Sequence, residues 1–459
     1  MHEDRSPKTS NFIDARYRAQ LVAALSGDLD FHNHSSREFT HSLHAFPAKF
    51  PPQLPRKFIE ALTQPDDVVF DPMSGSGTTI LEALLAGRKS IACDIDPLAL
   101  QFCRVKTTPL PTGIVAQVGR DIIQQARRLA AVIDRQAELA ARYDPKTQEF
   151  IDYWFAEQAQ IELLALLTSI EAIHDKPMRD FMELVFSAII ITKSGGVSLA
   201  YDLAHTRPHK VKNKPYRSPL VEFEKRLLRN LQDMAQLPKD GQKPAIISGN
   251  AQALPLLSNS VDLIVTSPPY PANAIDYMRA HKFSLVWFGR SIDTLSALRR
   301  EYIGGENTQG LAFEKLPPDT EKLVAEVTAL DQKKGLSLRR YYSEMTRALS
   351  EMRRVLKPGK AAVVVVGSSI MRGIDTKVQT CLEEIGLQIG FEIAHIGIRY
   401  LDRDKRMMPV HRNQQRQSQI EDRMHEEHVI GFYKPVQQTS LTNGNRLRDI
   451  SDLPLDLAI

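Results

Sequence analysis

The chain has 459 residues, with 59 lysines and arginines against 55 aspartates and glutamates, a formal charge of +4. Hydrophobic residues make up 42% and charged residues 25%, an ordinary globular composition, and no apolar run approaches the ~18 residues of a membrane helix. Three scattered cysteines (Cys93, Cys103, Cys381) form no CxxC pair, and MHEDRSPKTSNF has no signal-peptide core, so a disulfide-stapled or secreted protein is excluded and a reducing cytoplasm is expected.

Residues 1–30 read as a polar lead with a short helix around ARYRAQLVAAL. Pro47, Pro51, Pro52 and Pro55 punctuate an irregular approach to a helix at RKFIEAL. The stretch DDVVFDPMSGSGTTILEALLAGRKSIACDIDP then reads as strand (68–71), Gly-rich turn, helix (78–86) and strand (90–94). That order implies a parallel sheet with a right-handed crossover. Residues 107–240 interrupt it with helical stretches and a basic loop, KVKNKPYRSP. From Pro244 the alternation returns: AIISGNAQAL and VDLIVTSPPY as strand-plus-loop units, YYSEMTRALSEMRRVL as an amphipathic helix, and AAVVVVGSS as a buried strand. HVIGFYKP is expected at a sheet edge, 306–322 is a polar stretch between Tyr302 and the YYSEM helix, and the tail 437–459 is expected as loose chain. The simplest organisation is an α/β domain, 31–106 and 241–436, carrying a helical insertion at 107–240.

Two segments carry chemistry. In Asp71-Pro72-Met73-Ser74-Gly75-Ser76-Gly77-Thr78-Thr79 the glycines sit where a strand hands over to a helix. They let the backbone turn tightly and approach a ligand, while the helix amides suit an anionic group. Asp94 and Asp96 end the next strand, where ribose hydroxyls are commonly read, and no Gly-Lys-Ser/Thr follows to make a P-loop. An adenosine-type ligand is favoured over a merely tight turn. The second segment is Thr266-Ser267-Pro268-Pro269-Tyr270. Two prolines cannot continue a ladder, so they fix an extended loop at the carboxyl end of a strand, where open α/β sheets bind ligands. Ser267, the proline carbonyls and Tyr270 suit a planar, amine-bearing ring.

Together these segments resemble the S-adenosylmethionine-dependent amino-methyltransferases of nucleic acids. DPMSGSGTT is similar to the family's cofactor loop, and TSPPY to its catalytic tetrapeptide in the Ser-first form usual for cytosine-N4 enzymes. FPAKFPPQLPRKFIE resembles the segment over the cofactor's methionine end, and Gly249-Asn250-Ala251 the strand-end motif near the adenine. Met73 departs from the family's usual aromatic, and the cofactor half precedes TSPPY, so the usual place of a target-recognition region cannot be assumed.

The resemblance implies a Rossmann-like sheet with helices on both faces, S-adenosylmethionine as cofactor, and double-stranded DNA as partner with its target base flipped out. Restriction or defence proteins are candidate partners. It further implies cofactor contacts from Phe46, Pro47, Ala48, Lys49, Asp71, Pro72, Met73, Gly75, Ser76, Gly77, Thr78, Thr79, Asp94, Ile95, Asn250 and Ala251. Chemistry falls to Ser267, Pro268, Pro269 and Tyr270, with Ser267 Oγ and the Pro268 carbonyl accepting the amine hydrogens and Tyr270 stacking on the base. Adenine-N6 methylation, RNA guanine-N2 methylation and a catalytically dead DNA-binding regulator are the competing readings. Basic side chains are assigned to DNA: Lys210, Lys212, Lys214 and Arg217 in the insertion, Arg403, Arg406 and Arg412 late in the chain. Asp276 and Tyr277 either line the pocket or cap and pack the next helix. His32, His34, His41 and His44 match no zinc spacing, so no metal is expected.

Overall fold

The computed structural model describes residues 7–47, 49–192, 196–201, 203, 208–211, 213–271, 276–402 and 425–436. Helix α1 (Pro7–Ser26) is longer than its apolar core suggests, and a 3-10 turn (Phe39–Ser42) leads into α2 (Gln53–Leu62). A βαβα unit follows: β1 (Val68–Asp71), α3 (Thr78–Leu85), β2 (Lys89–Asp94) and α4 (Pro97–Thr107). The helical block holds α5 (Thr112–Ala130), α6 (Arg135–Arg142), α7 (Pro145–Trp154), α8 (Glu157–Glu171) and α9 (Lys176–Ile190). A hairpin of β3 (Ala200–Tyr201) and β4 (His209–Lys210) then precedes α10 (Pro219–Met234). Strands β5 (Ala245–Ser248) and β6 (Val261–Thr266) resume the sheet, followed by α11 (Tyr277–Leu285), α12 (Ile292–Glu301), α13 (Pro318–Leu330) and α14 (Gln332–Val355). The chain continues through β7 (Leu356–Val366), a small pair β8 (Ile370–Met371) and β9 (Ile374–Asp375), α15 (Val378–Gln388), β10 (Glu392–Tyr400) and β11 (Glu426–Lys434).

The main sheet has seven strands in the order β10-β11-β7-β6-β1-β2-β5. Strands β1, β2, β5, β6 and β7 run parallel, and β11 lies antiparallel to both β7 and β10. This is the Rossmann-like α/β arrangement. The chain leaves β1 for β2 and β5 on one side and returns to β6 and β7 on the other, so the switch point falls at the carboxyl ends of β1 and β6.

Side-chain alternation divides the core. Ala361, Val363 and Val365 of β7 pack with Leu21 and Leu25 of α1 and with Leu54 and Phe58 of α2. Their neighbours Ala362, Val364 and Val366 face Tyr342, Met345 and Leu349 of α14 and Leu382 and Ile385 of α15. Period-two alternation with apolar residues in both phases is what a strand covered on both faces requires. The helical block buries its apolar faces in a third cluster that also takes in Leu81 and Leu84 of α3, Leu98 and Phe102 of α4 and Phe283 of α11.

One expectation needs correction. HVIGFYKP is not an edge strand: β11 is hydrogen-bonded on both sides, and β10 forms the edge. The sequence Glu392–Tyr400 carries scattered polar residues because much of it is only half-buried, which hides its strand character. The polar stretch 306–322 contains the start of α13 at Pro318, a residue pre-set for the first helical position. The expected loose tail, 437–459, lies outside the described residues.

Helix α1 sits directly on this edge. A Cβ added at Gly397 of β10 would lie 2.5 Å from the Leu25 carbonyl oxygen and 2.5 Å from Leu29 Cδ1. Because the first obstacle is backbone, Gly397→Ala is expected to destabilise the protein by about 1–3 kcal/mol through overpacking. Urea unfolding should show a lower midpoint at unchanged slope; a parental midpoint would mean that α1 does not seat on β10.

Candidate active site

The Gly-rich turn between β1 and α3 is held from three directions. Gly75 (φ +45°) and Gly77 (φ +73°) both adopt the left-handed conformation that a side chain disfavours. Any Cβ at Gly75 would also meet Phe46 Cζ at 3.2 Å, and one at Gly77 would meet Cys103 Sγ at 3.0 Å. The Gly75 amide donates to Asp94 Oδ2 at 2.8 Å, and the Ser74 amide to the Cys93 carbonyl at 3.1 Å, so the turn is stitched to β2. Below it, the buried Lys106 ammonium donates to the Ser76 carbonyl at 2.5 Å. Thr79 Oγ1 donates to the Val265 carbonyl at 3.1 Å, which ties the start of α3 to β6. The first amides of α3 have no partner within the helix.

Carboxylates gather at the strand ends. Asp71 Oδ1 accepts the Thr266 hydroxyl at 2.7 Å and the Met73 amide at 3.2 Å, joining β1 to β6, and burial pushes its pKa up to about 6. Asp94, buried beside the Asp96 charge, is pushed up to about 7 by burial first and that neighbour second. Asp96 goes the other way. Burial alone would raise it, but the His281 ring and hydrogen bonds from His281, Tyr302 and the Leu98 amide hold it below the usual carboxylate range. Its Oδ2 accepts from His281 Nδ1 at 2.6 Å and from the Tyr302 hydroxyl at 2.8 Å, while Oδ1 caps α4.

These groups surround one cleft of about 900 Å³, counting its open mouth. Of the sequence-derived cofactor residues, the cleft is lined by Phe46, Lys49, Asp71, Pro72, Met73, Gly75, Ser76, Thr78, Asp94, Ile95, Asn250 and Ala251. Pro47, Gly77 and Thr79 do not line it, and Ala48 lies outside the described residues. Phe46 builds the apolar wall, stacked on Tyr277 (5.2 Å, 27°) and edge-on to Phe102 (5.6 Å). Tyr277 lines the cleft while Asp276 caps α11, so the pair divides between its two alternative roles. Sequence reading missed His281, Tyr302 and Ile303, which also line the cleft. The only clue was their place downstream of TSPPY, where helix and loop residues carry no motif.

At the carboxyl end of β6, Ser267 and Pro269 line the same cleft as the Gly-rich turn, and Pro268 and Tyr270 do not. Among the described residues, the Ser267 hydroxyl has no hydrogen-bond partner within the chain. Tyr270 is only 8% exposed, and its hydroxyl donates to Glu427 Oε1 of β11 at 2.9 Å. Burial and this hydrogen bond together hold the side chain in place.

The basic residues assigned to DNA fare unevenly. Lys214 is engaged internally, donating to the Ser198 and Ala200 carbonyls at 2.6 and 2.7 Å, and burial lowers its pKa to about 8. Lys210 sits over the Tyr153 ring at 4.3 Å, and both Lys210 and Arg217 are exposed. Lys212, Arg403, Arg406 and Arg412 lie outside the described residues. The histidines are used one by one: His41 Nε2 meets Glu82 at 2.7 Å, His44 Nε2 meets Ser187 Oγ at 2.9 Å, and His32 pairs with Asp402. No group of three or more such side chains among the described residues is placed to hold a metal ion, and no described helix is long and apolar enough to cross a membrane.

Comparison with known proteins agrees with this geometry. Residues 20–103 match the family model described as DNA methylase, of the N6/N4 type. The type II methyltransferase M.MvaI of Kocuria varians is 26% identical over 381 residues, covering 78% of this chain and 83% of that protein. A shorter stretch of 53 residues is 49% identical to the type II methyltransferase M.PvuII of Proteus hauseri, covering 12% of this chain and 16% of that one. The Gly-rich turn lies inside the matched region and the Ser-Pro-Pro-Tyr loop opens on the same cleft, so in both segments the chain is similar to the amino-methyltransferases of DNA.

Proposed function

We propose that the protein methylates the exocyclic N4 amine of cytosine within a specific DNA sequence. One observation carries the reading: Ser267 opens the tetrapeptide at the end of β6, lines the cofactor cleft, and keeps its hydroxyl unspent among the described residues. The residues of the cleft fit S-adenosylmethionine. Phe46, Met73, Ile95 and Ala251 offer apolar surface, the unpartnered amides of α3 suit its carboxylate, and Asp94 suits its ribose hydroxyls. When bound, that cofactor supplies an electrophilic sulfonium methyl group.

The chain's own work is on the amine. An exocyclic amine is a poor nucleophile because its lone pair is delocalised into the ring. Ser267 Oγ and the Pro268 carbonyl accept its two hydrogens, drawing the nitrogen towards tetrahedral geometry and freeing the lone pair for in-line attack. Positioning supplies most of the acceleration, and no covalent enzyme intermediate is required. The target base must leave the duplex to reach a cleft enclosed by strand ends. Exposed Lys210 and Arg217 of the helical block are the described candidates for phosphate contact. A restriction or defence setting, with cognate partner proteins, is consistent with the type II names of the relatives but belongs to the proposal.

Two outcomes check this reading. Incubation with DNA and S-adenosylmethionine, digestion, and mass spectrometry of the nucleosides should give N4-methylcytosine. Ser267→Ala should cut turnover by one or more orders of magnitude, about 1.5–3 kcal/mol in the barrier, while cofactor affinity measured by calorimetry stays near parental. N6-methyladenine as product would sink the cytosine assignment.

The second outcome is a pH dependence. Ribose hydroxyls donating to Asp94 favour its ionised form, so binding must release a proton wherever the free carboxyl, at about 7, is still protonated. Cofactor affinity should therefore strengthen as pH rises from about 5.5 and level off above about 7. The same raised value makes the ligand-free chain lose stability from this group as pH climbs from about 4, the unfolded value, through 7. Calorimetry in two buffers of different ionisation enthalpy reads the proton directly. Asp94→Asn should bind more weakly with a flat profile, and a profile unchanged by that substitution would remove Asp94 from the ribose role.

A further inference from the structure

The loop that carries Ser267 has a mechanical difficulty built into its sequence. Pro268 and Pro269 restrict its backbone but have no amides, so this stretch cannot be fastened by its own N–H groups. Its anchor is a side chain. The Tyr270 hydroxyl, 157 residues away in sequence, reaches across β7 to Glu427 Oε1 on β11 at 2.9 Å. The other carboxylate oxygen, Oε2, accepts from Arg399 Nη1 on β10. Arg399 and Glu427 face each other directly in the β10–β11 register, so the pair is set by strand pairing rather than by flexible side chains. Arg399 is 3% exposed, and Gly304 packs close to the Tyr270 carbonyl, where a Cβ would come to 3.3 Å.

We propose that Glu427 and Arg399 are positioning residues, which hold the Ser-Pro-Pro-Tyr loop in its reactive arrangement through the Tyr270 hydroxyl. The proposal rests on the assignment of that loop as the reacting one. A stability role alone accounts poorly for the arrangement, because a buried ion pair contributes no more than well-packed apolar residues would. A largely buried carboxylate instead provides a strong, directional acceptor, and the arginine on its other oxygen fixes its orientation. Among the described residues each oxygen has one partner, which gives the hydroxyl a defined acceptor. The carbonyl of Pro268 and the hydroxyl of Ser267 are then fixed relative to the cleft before the base arrives, which is the preorganisation that amine activation requires.

Single-turnover methylation of DNA at saturating S-adenosylmethionine tests this with Tyr270→Phe, Glu427→Gln and the double variant. Tyr270→Phe keeps the ring and the ion pair, and is expected to slow methyl transfer roughly tenfold or more, with cofactor affinity and Tm near parental. Glu427→Gln should slow it similarly, and the double variant should be no slower than the slower single one, because both act through one hydrogen bond. Arg399→Lys, which keeps the charge beside Glu427, should retain most of the rate. A parental rate in Tyr270→Phe overturns the proposal, as do losses that multiply in the double variant. Should Glu427→Gln fail to fold, the Tyr270→Phe rate decides alone. N6-methyladenine as product would overturn the cytosine reading while leaving the Tyr270→Phe rate to decide this one.

Discussion

The contact on which the cleft depends is the 2.8 Å hydrogen bond from the Gly75 amide to the Asp94 carboxylate. It joins the turn after β1 to the end of β2 and sets the distance between two walls of the cleft. Only a residue tolerant of positive φ points its amide that way while leaving space for the Phe46 ring above it. The carboxylate in turn is buried beside a second acid, an arrangement that disfavours ionisation of both. His281 and Tyr302 resolve the conflict by stabilising negative charge on Asp96, which leaves Asp94 as the group whose charge varies near neutrality. Two adjacent acids of the same type thus have different electrical duties, fixed by what donates to them.

Much of this was legible from local pattern. Val68–Asp71, the Gly-rich turn, α3 and β2 are contiguous, so strand period, glycine placement and helix start all sit within one window of sequence. The Ser-Pro-Pro-Tyr loop was legible for the same reason, since prolines after a strand state their own geometry. What escaped was whatever long-range pairing decides. Strand β10 has a half-buried face and a polar pattern, and only its partner β11 makes it a strand. His281 and Tyr302 acquire their roles from Asp96, 185 and 206 residues away. No spacing rule connects positions so distant.

Charge clusters were the least reliable guide, for a physical reason. A sequence shows how many cations a loop has but not how many carbonyls surround them. Lys214 stands in the basic stretch KVKNKPYRSP, yet its ammonium satisfies two backbone carbonyls and anchors the segment that leads into α10. Tyr216, in the same stretch, spends its hydroxyl on Glu162 at 2.7 Å. Part of what reads as a nucleic-acid patch is therefore internal carpentry, and only side chains left exposed, such as Lys210 and Arg217, keep their charge available to phosphate.

The helical block and the Gly-rich turn are more closely connected than an insertion between two halves of a sheet suggests. Glu82, one turn into α3 and wholly buried, accepts from His41 Nε2 at 2.7 Å and from Arg56 Nε at 2.6 Å. Burial lowers the His41 pKa to about 4, so near neutral pH the ring is uncharged and can donate through Nε2. His44, three residues on, lies against Ser187 of α9, whose hydroxyl is 2.9 Å from Ser284 of α11. Phe46 follows two residues later and forms the apolar wall of the cleft. One short segment therefore touches the helix of the Gly-rich turn, the helical block and the helix after the Ser-Pro-Pro-Tyr loop as it reaches the cleft. Close-packed contacts of this kind transmit displacement rather than absorb it. The seat of the Phe46 ring, and with it the space above Gly75, is therefore defined jointly by α3, α9 and α11.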